Sequence, residues 1–244
     1  MPSKAPTPSS SPPAPKRARR KEARPGELIE AALDLFVEKG YAATKVDEVA
    51  AQAGVSKGTL FLYFPSKEDL FKEVVRHNIG RHFADWDLEI EQFPYSTSDL
   101  LRHAYQLWWE NIGATKASGI SKLILSEAHN FPDIAAFYRI EVVEPSHRLI
   151  RRILQRGIDR GEFRVQDLDC AVYVVIAPLV FMMMWRHSGP CMPDALEMAP
   201  QRFIDAQVDN LLAGLCVRPG SALGTAGAPQ AQPAGAPPKI AGLS

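Results

Sequence analysis

The sequence predicts an all-α protein in two parts, a small N-terminal helical bundle and a larger helical body. Three observations carry this. Apolar residues recur at i, i+3, i+4 and i+7, the spacing of one helix face. Nowhere do several alternating polar and apolar runs suggest a sheet. The breaks fall at turn chemistry: Gly40, Gly54, Phe93-Pro94-Tyr95, Gly113, Asn130-Phe131-Pro132, Gly161 and Ser188-Gly189-Pro190. A chain of 244 residues can bury a sizeable core as one large or two small domains.

Residues 1–24 are rich in Pro, Ser and Ala and end in KRARRKEAR. Such a segment buries too little apolar surface to offset chain entropy, so a disordered basic arm is expected. The first helix is expected over Pro25 to Lys39, with Ile29, Ala32, Leu33 and Phe36 on one stripe and Gly40 as its stop. Thr44-x-x-Asp47 has the form of a capping box with Asp in place of Glu. Val46, Val49, Ala50 and Ala53 then share one face of a short helix until Gly54 breaks it. Ser56 can accept a hydrogen bond from the Thr59 N–H and so start a second short helix that runs to Phe64. Two short helices around a glycine turn are the form of a helix-turn-helix, whose second helix enters the DNA major groove.

Ser66 caps the next helix, which buries Leu70, Phe71, Val74 and Val75 and continues to about Phe83 or Trp86. The helix-turn-helix domain is therefore drawn at 25–84 and a helical regulatory and dimerisation domain at 85–217, with the boundary inside a shared helix. The body's helices are expected over Asp99 to Asn111, Lys116 to Asn130, Pro132 to Val143, Glu144 to Gly161, Leu168 to Arg186 and Pro193 to Cys216. Residues 218–244 are Ala, Gly and Pro-rich and read as a disordered tail.

The net charge of zero hides an asymmetry. Residues 1–67 hold eleven Lys/Arg against seven Asp/Glu, +4, which leaves −4 for the rest. A basic end on a mildly acidic body suits a DNA-binding module carrying a second domain. Cys170, Cys191 and Cys216 have no disulfide or zinc spacing, so no metal is expected and a reducing cytoplasm fits best. No apolar stretch follows the N-terminal basic residues, which argues against a signal peptide. The longest uncharged apolar run, Cys170 to Trp185, is shorter than a bilayer span and contains Pro178, so no membrane partner is expected.

Enzyme motifs are scarce. Gly54-Val55-Ser56-Lys57-Gly58 satisfies G-x-S-x-G, but a nucleophile elbow needs a strand before it, and EVAAQA has helical period. No P-loop, G-x-G-x-x-G or H-E-x-x-H occurs. No catalytic residue and no cofactor are assigned.

From Ile29 to Val75 the chain resembles the N-terminal domain of the tetracycline-repressor (TetR) family. The match is carried by A-x-x-L-F-x-x-x-G-Y (Ala32 to Tyr41), T-x-V-x-E-V-A-x-x-A-G-V-S-K-G-T-L (Thr44 to Leu60) and F-x-S-K-E-D-L (Phe64 to Leu70). The resemblance implies a DNA-binding surface of Thr44, Lys45, Ser56, Lys57, Gly58, Thr59, Leu60, Tyr63 and Lys67. Thr44 and Lys45 would meet a phosphate. Lys57 is the candidate for a guanine O6/N7 contact and Thr59 for a base edge or thymine methyl. Gly58 permits close approach, and Tyr63 and Lys67 would hold phosphates. Phe61 stands where the family often has Tyr, so a backbone contact there is lost.

In the body, Trp108, Ile112, Phe131 and Tyr173 are the expected ligand pocket, an apolar and aromatic set suited to a small apolar molecule. Val172, Val175, Leu179 and Met183, with Ile204, Val208, Leu211 and Leu215, form two stripes expected to pair with a second copy in a four-helix interface. The expected whole is a cytoplasmic homodimer that binds a palindromic double-stranded operator and releases it when a small effector binds. The alternative is a ligand-independent regulator or activator whose body only dimerises.

Overall fold

The computed structural model describes residues 16–165, 167–188 and 199–217, with 16–24 described by their backbone alone. Its helices run in the order α1 (Lys16–Lys39), α2 (Val46–Gln52), α3 (Lys57–Tyr63), α4 (Lys67–Val75), α5 (His82–Gln92), α6 (Thr97–Trp108), α7 (Ser118–Glu127), α8 (Pro132–Tyr138), α9 (Glu144–Asp159), α10 (Leu168–Arg186) and α11 (Pro200–Leu215). Among the described residues there is no strand, and the sole β-type pairing is an isolated bridge between Phe163 and Cys216.

Helix α1 begins at Lys16, nine residues before the expected start at Pro25, which becomes an internal proline. Arg, Lys, Ala and Glu are good helix formers, and their propensity extends the helix through a segment expected to be unstructured. The expectations for residues 1–15, for the turn at Gly189-Pro190, for Cys191, for the helix start at Pro193 and for the tail from 218 lie outside the described residues.

The small helices obey their turn residues. Gly40 and Gly54 take φ of +85° and +66°, left-handed values that cost other residues a steric penalty. Ser56 accepts from Thr59 N at 3.1 Å and Ser66 from Asp69 N at 3.0 Å, which caps α3 and α4 as read from the sequence. The capping box at Thr44 does not form. Lys45 is the N-cap of α2 and makes no side-chain cap bond.

The expected shared helix is present, but not as a straight α-helix. Arg76–Gly80 is a π-helical turn between α4 and α5. Two more π turns, Trp109–Gly113 and Arg139–Val143, end α6 and precede α9. Asn78 Nδ2 donates to the Val74 carbonyl and Asn111 Nδ2 to the Leu107 carbonyl, each at 2.8 Å. Both side chains satisfy a carbonyl at the entrance to a widened turn.

Two apolar cores form. One joins α1–α4 to Ile79, Ile112, α7, α8 and Val142; the other joins Ile90 and α6 to α9, α10 and α11. Phe83, Trp86 and Trp108 pack against both. The N-terminal helices therefore share their core with α7 and α8. The helix α10 is long and apolar enough, by length and composition, to cross a membrane. Its Val172, Val175, Leu179 and Met182 are buried in the second core.

Candidate nucleic-acid interface and internal cavity

Helices α2 and α3 present a small polar surface. Lys45, Ser56, Lys57 and Gly58 are exposed and Thr59 is half-buried at the start of α3. Lys57 Nζ lies 2.8 Å from Asp47 Oδ1, both largely exposed, so the pair costs little to separate. Ser56 Oγ is 2.9 Å from Thr59 Oγ1, besides capping the helix. Tyr63 is half-buried against the first core. No sequence pattern singles out Leu62 as a surface residue. It is 84% exposed on α3, and Phe61 beside it is also exposed.

Three residues expected to contact DNA have their side chains engaged within the chain. Leu60 is fully buried in the first core. Thr44 is 1% exposed, and its hydroxyl donates to Gly40 O at 2.7 Å and lies 3.1 Å from Leu35 O, so it closes the turn after α1. Lys67 Nζ donates to the carbonyls of Tyr41 (2.8 Å), Thr44 (3.2 Å) and Ala42 (3.3 Å) and lies 4.4 Å from the centre of the Tyr41 ring. Burial pulls the Lys67 ammonium below its ordinary pKa, with Glu127 opposing. The sequence shows a polar residue beside the motif but not which way it turns.

The turn between α1 and α2 is also held from the body. Glu127, the last residue of α7, accepts from Tyr41 N at 2.8 Å and Ala42 N at 3.1 Å. Gly40 makes room, since a Cβ there would sit 2.5 Å from Glu127 Oε1. Burial and the carboxylates of Glu68, Asp69 and Glu127 push the Tyr41 phenol up to about 12.

A cavity of about 470 Å³ lies between α5, α6, α7, α9 and α10. Trp108, Ile112 and Tyr173, named above for a ligand pocket, are among its lining residues. Phe131 is not; its ring packs edge-on against Tyr41 at 4.9 Å, between α8 and the N-terminal helices. All three π turns reach the cavity, through Ile79, Ile112, Val142 and Val143. Helix α7 lines it through Ser121 and Leu125, six and two residues before Glu127.

The stripes expected to pair two copies are instead interior to one chain. Val172, Val175, Leu179, Ile204, Val208, Leu211 and Leu215 are all buried in the second core, and Met183 lines the cavity. A helix that is apolar all round buries one face in its own chain and leaves another. The remaining face of α10 carries Val174 and Phe181, 55% and 45% exposed, with exposed Cys170 and Ala177 between and before them.

Comparison with known proteins agrees with this layout. Residues 28–74 match the family described as bacterial regulatory proteins of the tetR family, and residues 96–199 match the tetracyclin repressor-like C-terminal domain. The HTH-type transcriptional repressor KstR2 of Mycolicibacterium smegmatis is 28% identical over 195 residues, 78% of this chain and 92% of that protein. The fatty acid degradation regulator FadR of Bacillus halodurans superposes with a TM-score of 0.66 at 22% identity, covering 78% of this chain and 95% of that one. The FadR regulator of Bacillus subtilis in complex with stearoyl-CoA has a TM-score of 0.56 at 19% identity, covering 78% and 98%. With both its helix-turn-helix domain and its body matched, the chain belongs to the TetR family of transcriptional regulators.

Proposed function

We propose that the protein is a ligand-responsive repressor that binds a palindromic operator as a homodimer and leaves it when a small, largely apolar effector occupies the cavity. The observation that carries the reading is the reach of α7: one helix lines the cavity through Ser121 and Leu125 and holds, through Glu127, the turn that leads into α2 and α3. An effector that shifts α7 shifts the helix-turn-helix. The coupling needed is ordinary, about 1–3 kcal/mol.

At the DNA, Lys57 reads a base edge and Lys45 and Tyr63 hold phosphates, while Gly58 lets α3 approach closely. Thr59, Phe61 and Leu62 are placed for apolar or hydroxyl contacts in the groove. The dimer forms through the outer face of α10, with Val174, Ala177 and Phe181 at its centre. It sets two α3 helices about 34 Å apart, or a multiple, to match successive major grooves. The protein works in the cytoplasm beside its DNA, without a cofactor.

DNase footprinting of the purified chain on the DNA upstream of its own gene tests this reading. A symmetric protected site with two half-sites related by a dyad is expected. Protection without a dyad, or none at low salt, contradicts it.

A further inference from the structure

The cavity wall has a one-sided chemistry. Among the described residues its lining holds no lysine or arginine, one carboxylate, Glu89, and the imidazoles of His103 and His147. Most other polar groups there are engaged. Tyr105 OH donates to Val175 O at 2.6 Å, Ser146 Oγ to Val142 O at 2.6 Å, and Ser121 and Tyr138 hydroxyls bond each other at 2.7 Å. His147 meets the Tyr173 ring edge-on at 4.9 Å. The lining's carboxylate is Glu89, whose Oε1 lies 2.5 Å from His103 Nε2 with both side chains partly exposed, and this pair is the cavity's polar pole.

Aromatic rings line the same cavity. Trp86 lies one turn before Glu89 on α5, Phe83 stands edge-on to Trp86, and Tyr105 and Trp108 line the cavity from α6. Two arginines of α9 beside α5 are occupied: Arg152 pairs with Asp87, and Arg156 donates to the carbonyls of Phe93 and Tyr95 at 2.9 and 2.8 Å. A ligand carboxylate at the pole would face Glu89 with no lysine or arginine among the described lining residues to offset it, and His103 is already paired with Glu89. An ammonium there meets a carboxylate and the negative faces of rings.

We propose that the cavity takes a lipophilic cation, a protonated or quaternary amine on an apolar body, with its nitrogen at Glu89 and its body against Trp86 and Trp108. This rests on the reading of the cavity as an effector site and adds the charge of the effector.

Three probes of equal chain length separate the possibilities: dodecyltrimethylammonium, dodecanoate and 1-dodecanol, each below its micelle concentration. They are titrated against the full chain by tryptophan fluorescence, since Trp86 and Trp108 line the site. The ammonium should bind at least about tenfold more tightly than dodecanoate, the scale of one charge-assisted contact. Glu89→Gln should remove that preference, Glu89→Lys should reverse it, and 1-dodecanol should change little in either. Dodecanoate binding as tightly as the ammonium, or ammonium binding indifferent to Glu89→Gln, overturns the proposal. The titration contains no DNA. Amine binding through Glu89 that leaves operator affinity unchanged would uphold the cavity's chemistry and refute the effector reading. Operator release by some other molecule, without amine binding, would do the opposite.

Discussion

The carboxylate of Glu127 accepts the backbone N–H of Tyr41 at 2.8 Å, and the next N–H, of Ala42, at 3.1 Å. The bond crosses from the last turn of α7 to the turn that introduces the helix-turn-helix, and Gly40 leaves the space for it. Glu127→Gln keeps the shape but leaves one uncharged acceptor oxygen, and its NH2 faces the other backbone N–H without accepting from it. It should lower unfolding free energy by about 1–2 kcal/mol and weaken binding to all operator sequences alike. Chemical denaturation and salt-matched operator titrations measure the two effects.

Lys57 and Asp47 are both solvated, so Lys57→Ala should leave stability within about 0.5 kcal/mol. It should cost about 1–3 kcal/mol of operator affinity and relax preference at one base pair. Binding to a library of operator variants checks this, and an unchanged preference refutes the base contact.

Lys45 and Lys67 should separate cleanly. Lys45→Ala should reduce the slope of log affinity against log salt by about one while leaving the fold intact. Lys67→Ala removes the donor that gathers three carbonyls of the α1–α2 turn, so it should destabilise the protein by about 1–3 kcal/mol with little change in slope. Thermal unfolding and salt-dependent binding of both variants make the test.

How much of this was legible in the sequence differs by kind of feature. The caps at Ser56 and Ser66 and the glycine turns were, because each depends on residues within three positions. The limits of α10, Leu168 to Arg186, were read as they stand. Lys67 was not, because the carbonyls it serves lie 23 to 26 positions away and no local pattern shows them. The interface stripe failed for another reason. Periodicity says that Val172, Val175 and Leu179 are covered, not whether by the same chain or another, and α10 is apolar on every side. The π turns leave no mark in a period of 3.6. Their asparagines, Asn78 and Asn111, are the nearest thing to a signal.

The outer face of α10 should therefore carry the dimer. Phe181→Glu, on an exposed position, should give a folded monomer by sedimentation with operator affinity reduced at least about a hundredfold, since only one half-site remains engaged. Ile204→Ala, buried in the chain's own core, should instead lower stability by about 2–4 kcal/mol and leave the dimer intact.

Three histidines give the pH dependence its sign. Burial, with nearby Arg and Lys charges, holds His187, His147 and His82 below the ordinary value of 6.5. In the unfolded chain each takes up its proton at a higher pH. Stability is thus full above pH 6.5 and falls as pH drops below it. His187 Nε2 bonds Ser118 Oγ at 2.8 Å, so His187→Gln should flatten the loss of melting temperature between pH 7 and 5.

The coupling proposed between the cavity and the helix-turn-helix runs through α7 and Glu127. A double-mutant cycle on operator affinity tests it without any ligand. Ala104 lines the cavity, and Ala104→Phe partly fills it as an effector would. In the otherwise unchanged protein this should weaken operator binding at least about tenfold; in the Glu127→Gln background it should add less than about twofold, a coupling of about 1 kcal/mol or more. Effects of the two substitutions that simply add would contradict the claim.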